Sequence, residues 1–177
     1  VFDFLDRHHQ VRRRGSALAS SIMRLEGTIL WCESPDSYLA SALVDFLRHR
    51  LLEQGRDLCF ESVMSSDDKV RFLEKASSMG SRTYLYYVAT EDPEINVARV
   101  RDRVRKGGHD VPADKIRSRY QRSLDLLLPA MRACNRAFVF DNSGADLVFV
   151  AELREGALSL RTDSIPVWFD RHVLNRL

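Results

Sequence analysis

The chain has 177 residues, a formal net charge of +2 at pH 7 and a hydrophobic fraction of 45%. These values are typical of a globular protein with a real core, and they exclude a disordered chain and a protein that binds polyanions over its whole surface. No apolar run approaches the roughly 20 residues of a membrane span. We therefore expect one cytoplasmic domain over residues 1–177 that does not contact a membrane.

The first third of the chain predicts a helix, a short strand and a longer helix. The opening helix has Phe2, Leu5, His9 and Val11 on one face and ends near Gly15. "TILWC" (28–32) is short and apolar, which is typical of a strand. The longer helix covers 34–55, because Ser34 can cap it, Pro35 suits the first turn and Gly55 can end it.

Further on, strands and helices alternate. "DLCFESV" (57–63) predicts a buried strand that includes Cys59, and "RTYLYYVAT" (82–90) predicts a central strand because it is apolar almost throughout. Helices are predicted over 66–80, with Ser66 as the cap, and over 92–107 and 111–134. The last of these has an apolar stripe at helical spacing: Ile116, Tyr120, Leu124, Leu127 and Met131. A strand follows from Arg136, then a hairpin that turns at Glu155-Gly156 and a short closing helix that packs Trp168 and Leu174 onto the body. This order predicts an α/β fold, most simply a parallel sheet flanked by helices.

The three cysteines indicate no metal or disulfide framework. Cys32, Cys59 and Cys134 lie far apart in sequence, without a CxxC motif or paired histidines. Cys59 and Cys134 stand in apolar runs, so we expect both to be buried as small hydrophobic residues. No metal ligands are therefore predicted from the residues alone.

Polar residues follow each predicted strand at the end where open parallel sheets bind ligands. They are Glu61 and Ser62 after the first strand, Thr90, Glu91 and Asp92 after the second, and Asp141, Asn142 and Ser143 after the third. A carboxylate at such a position can hold a substrate hydroxyl or act as a base. The alternatives are that Glu61 caps the next helix and that "DNSG" is ordinary turn chemistry.

Positive charge is concentrated around a Gly-Gly pair in "RVRKGGHDVPADKIRSRYQRSL" (103–124). Arg119 and Arg122 share a helix face, and His109 lies beside the glycines. We expect a hinged flap in which these arginines, together with Arg99 and Arg103 of the preceding helix, neutralise phosphate oxygens. The alternative is a pair of solvated basic helix faces. Because the charge excess is local, a small phosphate ligand suits it better than a nucleic acid duplex.

The sequence from "CFESVMSSDDKVRFLEKASSMGSRTYLYYVATEDPEINVARVRDRVRKGGHDVPADKIRSRYQRSLDLL" to "RAFVFDNSG" resembles the zeta-toxin-like P-loop kinases. The resemblance runs from about Ser37 to Ser143. Its most specific part is Gly107-Gly108-His109 together with Val111-Pro112, Ile116, Arg119-Tyr120 and Arg122.

The resemblance implies a P-loop kinase fold that binds ATP with Mg²⁺ and transfers the terminal phosphoryl group. In zeta toxins the acceptor is a UDP-activated amino sugar, and an antitoxin protein is a possible partner. Glu61 matches the family's acceptor-positioning glutamate, with Ser62 beside it. Arg119 and Arg122, with His109, match the lid over the ATP phosphates, and Asn142 matches a position near the nucleotide base.

One departure from the family pattern is large. The sequence contains no GxxxxGK[ST] phosphate loop, and no lysine precedes Lys69. The family's opening strand, phosphate loop and first helix have no counterpart in these residues. We therefore expect the chain to be the downstream part of a kinase or a truncated relative, inactive toward ATP when alone. The alternative interpretations are a non-catalytic remnant or binding module of the same fold and, less favoured, a nucleic-acid-binding domain.

Overall fold

A computed structural model gives the structure of the protein for residues 1–8, 11, 23–27, 29–33 and 36–177. The chain divides into two compact units, Val1–Phe60 and Glu61–Leu177. The predicted roles of His9, Gly15, Ser34 and Pro35 lie outside the described residues. The single domain over 1–177 stays a prediction.

The first unit contains helix α1 (Phe2–Arg7), strands β1 (Met23–Glu26) and β2 (Ile29–Cys32), and helix α2 (Ser37–Glu53). The two strands form an antiparallel pair, of which the sequence predicted only the second strand. Helix α2 begins at an Asp36 cap, whose carboxylate accepts a hydrogen bond of 2.8 Å from the Leu39 amide. The buried apolar side chains form a small cluster: Leu5, Val11, Met23, Leu39 and Ala42.

The second unit has helices on one side of a four-stranded sheet. Its elements are α3 (Asp68–Ser78), β3 (Tyr84–Ala89), α4 (Pro93–Arg105), α5 (Ala113–Arg132), β4 (Arg136–Asp141), β5 (Val148–Arg154), β6 (Ala157–Leu160), α6 (Val167–His172) and a closing 3₁₀ turn (Leu174–Arg176). The strand order is β3-β4-β5-β6. None of the helices in the described ranges is both long and apolar enough to cross a membrane.

The sheet is mixed rather than wholly parallel. Strands β3 and β4 run parallel, with Tyr84 opposite Arg136, while β4, β5 and β6 pair antiparallel. The predicted hairpin at Glu155-Gly156 is confirmed, and both residues have positive φ angles. The α/β prediction is therefore correct, but among the described strands only the β3–α4–α5–β4 crossover gives parallel neighbours.

Helix α5 supplies the core that covers one face of the sheet. Its apolar stripe, predicted from helical spacing, buries Leu124, Leu127 and Met131 against the sheet. Trp168 and the partly buried Leu174 pack onto the same cluster, which confirms the prediction for the closing segment. The C-terminal half of α5 is therefore a core element of this unit.

The segment 57–63 is not a strand, so that prediction is wrong. It has no regular secondary structure, Glu61 and Cys59 are exposed, and no described strand pairs with it. Local apolar composition favours a strand only where a neighbouring strand receives its hydrogen bonds. Cys134, in contrast, is buried as predicted.

Strand β3 lies at the edge of the sheet, whereas its composition predicted a central position. Tyr87 and Ala89 are buried on the helix side, but Tyr84, Tyr86 and Val88 are 51%, 67% and 53% exposed. The apolar run is therefore only half buried, because the sheet face that carries Tyr84, Tyr86 and Val88 is open to solvent. No strand in the described part of the chain pairs with the outer edge of β3.

His172 is a buried histidine at the end of α6. It is 5% exposed, and its Nδ1 atom lies 3.3 Å from a carboxylate oxygen of Asp125 on α5. Burial lowers the pKa of His172, and the nearby charges of Arg176 and Arg171 act in the same direction, while Asp125 opposes them. The folded protein thus binds this proton more weakly than the unfolded chain does.

We predict that the free energy of unfolding decreases as pH falls below the ordinary histidine pKa of about 6.5. Below that pH the unfolded chain takes up a proton that the folded state resists, so stability rises with pH across this range. His172→Gln should flatten the profile between pH 7 and 5 in urea titrations. His109→Gln, which replaces an exposed histidine, is the control and should retain the wild-type slope. Equal slopes for wild type and His172→Gln would contradict the assignment.

Candidate functional site

The carboxyl ends of β3 and β4 are tied together by one serine. The Ser143 hydroxyl accepts a hydrogen bond of 2.7 Å from the Glu91 amide and donates one of 2.9 Å to Asp141 Oδ2. The Asn142 amide donates to the Ala89 carbonyl at 2.7 Å. The structure thus brings together the polar residues predicted to follow these two strands.

Asp141 has a structural role within this group. Its carboxylate is only 8% exposed and accepts hydrogen bonds from Trp168 Nε1 at 2.6 Å and from the Ser143 amide and hydroxyl, each at 2.9 Å. A buried carboxylate is tolerated when donors surround it in this way. The turn interpretation of "DNSG" therefore describes Asp141 and Ser143 well.

Tyr120 anchors α5 to the end of β3. Its hydroxyl donates to the carbonyl oxygens of Thr90 and Glu91, at 2.8 and 3.0 Å. Burial raises the pKa of Tyr120 to about 12, and the charges of Glu91, Asp92 and Asp141 add to the effect. The hydroxyl therefore keeps its proton and remains a donor at physiological pH.

Helix α4 is fixed to the same edge at its start. Asp92 caps the helix by accepting from the Glu94 amide at 2.8 Å, and Pro93 occupies the first turn, as predicted. Asn96 Nδ2 donates to the Thr90 hydroxyl at 2.9 Å. Arg99 then donates to the Asn142 carbonyl at 2.7 Å. Both helices that follow β3 thus meet the ends of β3 and β4.

Arg119 and Arg122 are cations without a protein partner beside this edge. Neither forms a hydrogen bond or ion pair with any residue in the described ranges. Each comes one residue before an anchored side chain: Arg119 precedes Tyr120, and Arg122 precedes Ser123, whose hydroxyl lies 2.9 Å from the Tyr87 hydroxyl. One helical residue is a rotation of about 100°, so both arginines flank the anchored face on the same side.

The arginines of α4 and α5 differ in their protein partners. Arg117 of α5 contacts α4 through two hydrogen bonds of 2.5 and 2.9 Å to the Glu94 carboxylate. Arg119 is rotated by about 160° around the helix from Arg117. Arg103 instead donates to the His109 carbonyl at 2.8 Å. The predicted meeting of the two arginine pairs stays a prediction.

The Gly-Gly pair makes a tight turn against α4. Gly107 has a φ of +87°, which favours glycine. A Cβ atom added at Gly108 would lie 2.5 Å from the Arg103 Cγ atom. The hydrogen bond from Arg103 to the His109 carbonyl spans this turn.

Glu61 and Ser62 precede α3 in an irregular segment. Both are exposed, and the Ser62 hydroxyl accepts a hydrogen bond of 3.1 Å from the Met64 amide. Because the predicted strand is absent there, Glu61 is not positioned by a strand end. Its acceptor role, together with the roles of Ser62, His109 and Asn142, remains a prediction.

Sequence reasoning missed the two side chains that organise this edge. Tyr120 was assigned to the apolar stripe of α5, and Trp168 to the packing of the closing helix. A tyrosine or tryptophan in an apolar stripe needs a partner for its polar atom when it is buried. That requirement was the available signal, but the sequence alone could not show which acceptor each ring would reach.

The described residues form an α/β fold with unpaired arginines beside a strand end. The class of this fold, P-loop kinase-like, rests on a family match. A family model described as Zeta toxin matches residues 37–151. That match covers more than half of the sequence, and the chain belongs to the zeta toxin family.

A curated relative covers a shorter stretch. An uncharacterised protein of Haemophilus influenzae is 31% identical over 74 residues, which are 42% of this chain and 53% of that protein. The chain thus matches about half the length of this relative. No solved structure matches the chain.

Proposed function

We propose that the protein acts in ATP-dependent phosphoryl transfer to a small hydroxyl-bearing acceptor, with nucleotide sugars as the first class to test. Membership of the zeta toxin family suggests a kinase-like activity that uses ATP. The observation that carries the proposal is the pair of unpaired guanidinium groups, Arg119 and Arg122, beside the carboxyl end of β3.

Unpaired arginines at this position suit a triphosphate. Phosphoryl transfer spreads negative charge over the transferred oxygens, and guanidinium groups stabilise that charge without accepting a proton. Arg99 and Arg117 are already engaged with Asn142 and Glu94, so they are less available to a ligand. Mg²⁺ would accompany the nucleotide and neutralise phosphate charge. We assign it no protein ligand, since the described residues hold no group of three or more His, Cys, Asp and Glu side chains suited to a metal.

The reaction also needs a phosphate cradle, which this sequence does not encode as GxxxxGK[ST]. The second candidate function, a non-catalytic binding module of the same fold, rests on that observation. The two candidates differ in one result: a module binds nucleotide or acceptor without transferring phosphate. An antitoxin partner is a further proposal that rests on the family alone.

The test compares the 177-residue chain with the product of any longer reading frame that contains it. ATP binding is measured by calorimetry, and transfer of labelled phosphate from ATP is measured with UDP-N-acetylglucosamine as acceptor. Transfer by either protein supports the kinase proposal. Binding without transfer by both supports the module. Failure of both proteins to bind either ATP or UDP-N-acetylglucosamine in calorimetry would reject both candidates.

Glu61→Gln is predicted to impair acceptor phosphorylation while ATP affinity stays near the wild-type value. The amide keeps the size of the side chain but loses the charge that would hold an acceptor hydroxyl. The measurement is the initial rate against acceptor concentration, with ATP affinity determined separately. Glu74→Gln, on helix α3, is the matched control. Loss of ATP affinity in Glu61→Gln would reassign the residue away from the acceptor.

A further inference from the structure

The two halves of helix α5 are held to the protein in different ways. The buried side chains of the helix all lie in its second half: Leu124, Leu127, Leu128, Ala130 and Met131. Residues 113–123, which all belong to the described part of the chain, include no buried side chain. Apolar packing therefore fixes the C-terminal half of α5, whereas the position of the N-terminal half, which carries Arg119, depends on other contacts.

Two side chains of the N-terminal half form hydrogen bonds to other elements within the described ranges. Arg117 pairs with Glu94, but these side chains are 50% and 54% exposed. An ion pair with this exposure to water contributes little to the position of a helix. The other contact is made by the Tyr120 hydroxyl, which donates to the Thr90 and Glu91 carbonyls at 2.8 and 3.0 Å. Tyr120 is therefore the main attachment of this half of α5.

The two residues that accept from the Tyr120 hydroxyl are themselves fixed. The Glu91 amide donates to the Ser143 hydroxyl at 2.7 Å, and the Thr90 hydroxyl accepts from Asn96 Nδ2 at 2.9 Å. A hydrogen bond can set the position of a helix only when its acceptor is held in place. The carbonyls at the end of β3 meet this condition.

Arg119 and Arg122 differ in what holds the backbone beside them. Arg119 directly precedes Tyr120 and is partly buried. Arg122 directly precedes Ser123, whose hydroxyl lies 2.9 Å from the Tyr87 hydroxyl, and the buried stripe of the helix begins at the next residue. The Tyr120 hydroxyl should therefore control the position of Arg119, while the core controls that of Arg122.

We infer that Tyr120 is a positioning residue for the proposed phosphoryl transfer, because its hydroxyl, rather than the packing of its ring, holds Arg119 at the end of β3. The inference rests on the proposed function, in which Arg119 stabilises the charge of the transferred group. Such stabilisation depends on geometry, and a displacement of about 1 Å can lower a rate by about 10²-fold. Tyr120→Phe isolates this contribution, since it keeps the ring and removes the hydroxyl.

The mobility of the helix tests the position of Arg119 without any ligand. In a background with Cys32→Ser and Cys59→Ser, a nitroxide label is attached to Arg119→Cys, and the remaining cysteine is buried. Electron paramagnetic resonance then compares the label with and without Tyr120→Phe. The label should become more mobile when the hydroxyl is removed. A label on Arg132→Cys, at the C-terminal end of α5, should give the same spectrum in both backgrounds.

Tyr87→Phe is the matched control. It also removes a tyrosine hydroxyl that contacts α5, but the contact is with Ser123, beside the buried stripe. The label at position 119 should therefore have the wild-type mobility in Tyr87→Phe. A general loss of stability would instead affect the label in both tyrosine variants.

Kinetic measurements test the role in the reaction, in whichever protein transfers phosphate from ATP. Tyr120→Phe should lower kcat by about 10-fold to 10²-fold. Arg119→Ala should then lower kcat less in Tyr120→Phe than in the wild type, because the displaced guanidinium group already contributes less. Arg122→Ala should lower kcat by the same factor in both backgrounds. A merely structural role of Tyr120 would give no coupling with either arginine.

Two outcomes would overturn the inference. One is a label at position 119 whose mobility is unchanged in Tyr120→Phe, or rises equally in Tyr87→Phe. The other is independent effects of Tyr120→Phe and Arg119→Ala on kcat. A wild type that neither binds ATP nor transfers phosphate would reject the proposed function instead. The spin-label result would still decide whether Tyr120 positions residue 119, so the two failures are distinguishable.

Discussion

Replacing Arg119 or Arg122 by alanine is expected to lower ATP-dependent phosphoryl transfer by about 10²–10³-fold, the usual effect of removing one group that stabilises transition-state charge. Both side chains are free of protein partners among the described residues, so neither holds the fold together. The unfolding midpoint should therefore change little. The measurement is the rate of labelled phosphate transfer in whichever protein shows activity, together with thermal unfolding of each variant.

Arg132→Ala is the matched control. It removes an exposed arginine at the far end of the same helix, so the total charge changes equally but the strand ends are untouched. Its activity should equal that of the wild type. If Arg132→Ala lowered transfer as much as Arg119→Ala, general charge would explain the effect. If transfer were unchanged in both Arg119→Ala and Arg122→Ala, the proposed role of the pair would be rejected.

Trp168→Phe is expected to lower the free energy of unfolding by about 1–3 kcal/mol, because it removes a donor from a buried carboxylate. Trp168 is 3% exposed, and its indole N–H donates to Asp141 at 2.6 Å. Phenylalanine keeps an aromatic ring in the core but leaves Asp141 with only the Ser143 donors. Urea titration followed by circular dichroism measures the difference.

The other tryptophan of the chain provides the control. Trp31 is 49% exposed, so Trp31→Phe should change the free energy of unfolding by less than about 0.5 kcal/mol. Combining Trp168→Phe with Asp141→Asn completes a double-mutant cycle. A coupling free energy near zero would show that the hydrogen bond between these residues does not stabilise the fold.

The helices of the second unit could be predicted closely from the sequence because their signals are local. Asp92-Pro93 fixes the start of α4, and the spacing of Ile116, Tyr120 and Leu124 gives the buried face of α5. Caps and apolar periodicity depend on neighbours within a few residues. The hairpin at Glu155-Gly156 was predictable for the same reason.

Strand partners depend on distant parts of the chain, and the predictions of strand pairing from the sequence were wrong for this reason. Segment 57–63 has the composition of a strand but no described neighbour, and β3 reads as central although it is an edge. The local composition of segment 57–63 and of β3 does not indicate which other strands are available to pair with them. The antiparallel course of β5 beside β4 similarly follows from the short connection around Gly144, which has no room for a crossover helix.

The candidate site was predictable in part. The rule that ligands bind at strand ends selected Glu91, Asp141 and Ser143, and these residues are joined by hydrogen bonds. The same rule placed Glu61 at the end of a predicted strand, but segment 57–63 has no regular secondary structure. The convergence of the arginine pairs of α4 and α5 stays a prediction, because side-chain direction on two packed helices depends on which face carries the contact. Arg117 sets that face in the structure.

The anchoring of α5 determines whether this helix would move when a ligand binds. Half of this helix is embedded among core side chains, and its middle is fastened by Tyr120 to the two carbonyls after β3. A swing of the whole helix would expose apolar surface and break both bonds. Arg119 and Arg122 are therefore attached to a helix that is fixed to the core. An anion would be bound through rotamer changes in these two side chains. Recognition of this kind costs about 0.5–1.5 kcal/mol for each arginine side chain that is immobilised, and its rate should follow diffusion rather than a slow closing movement.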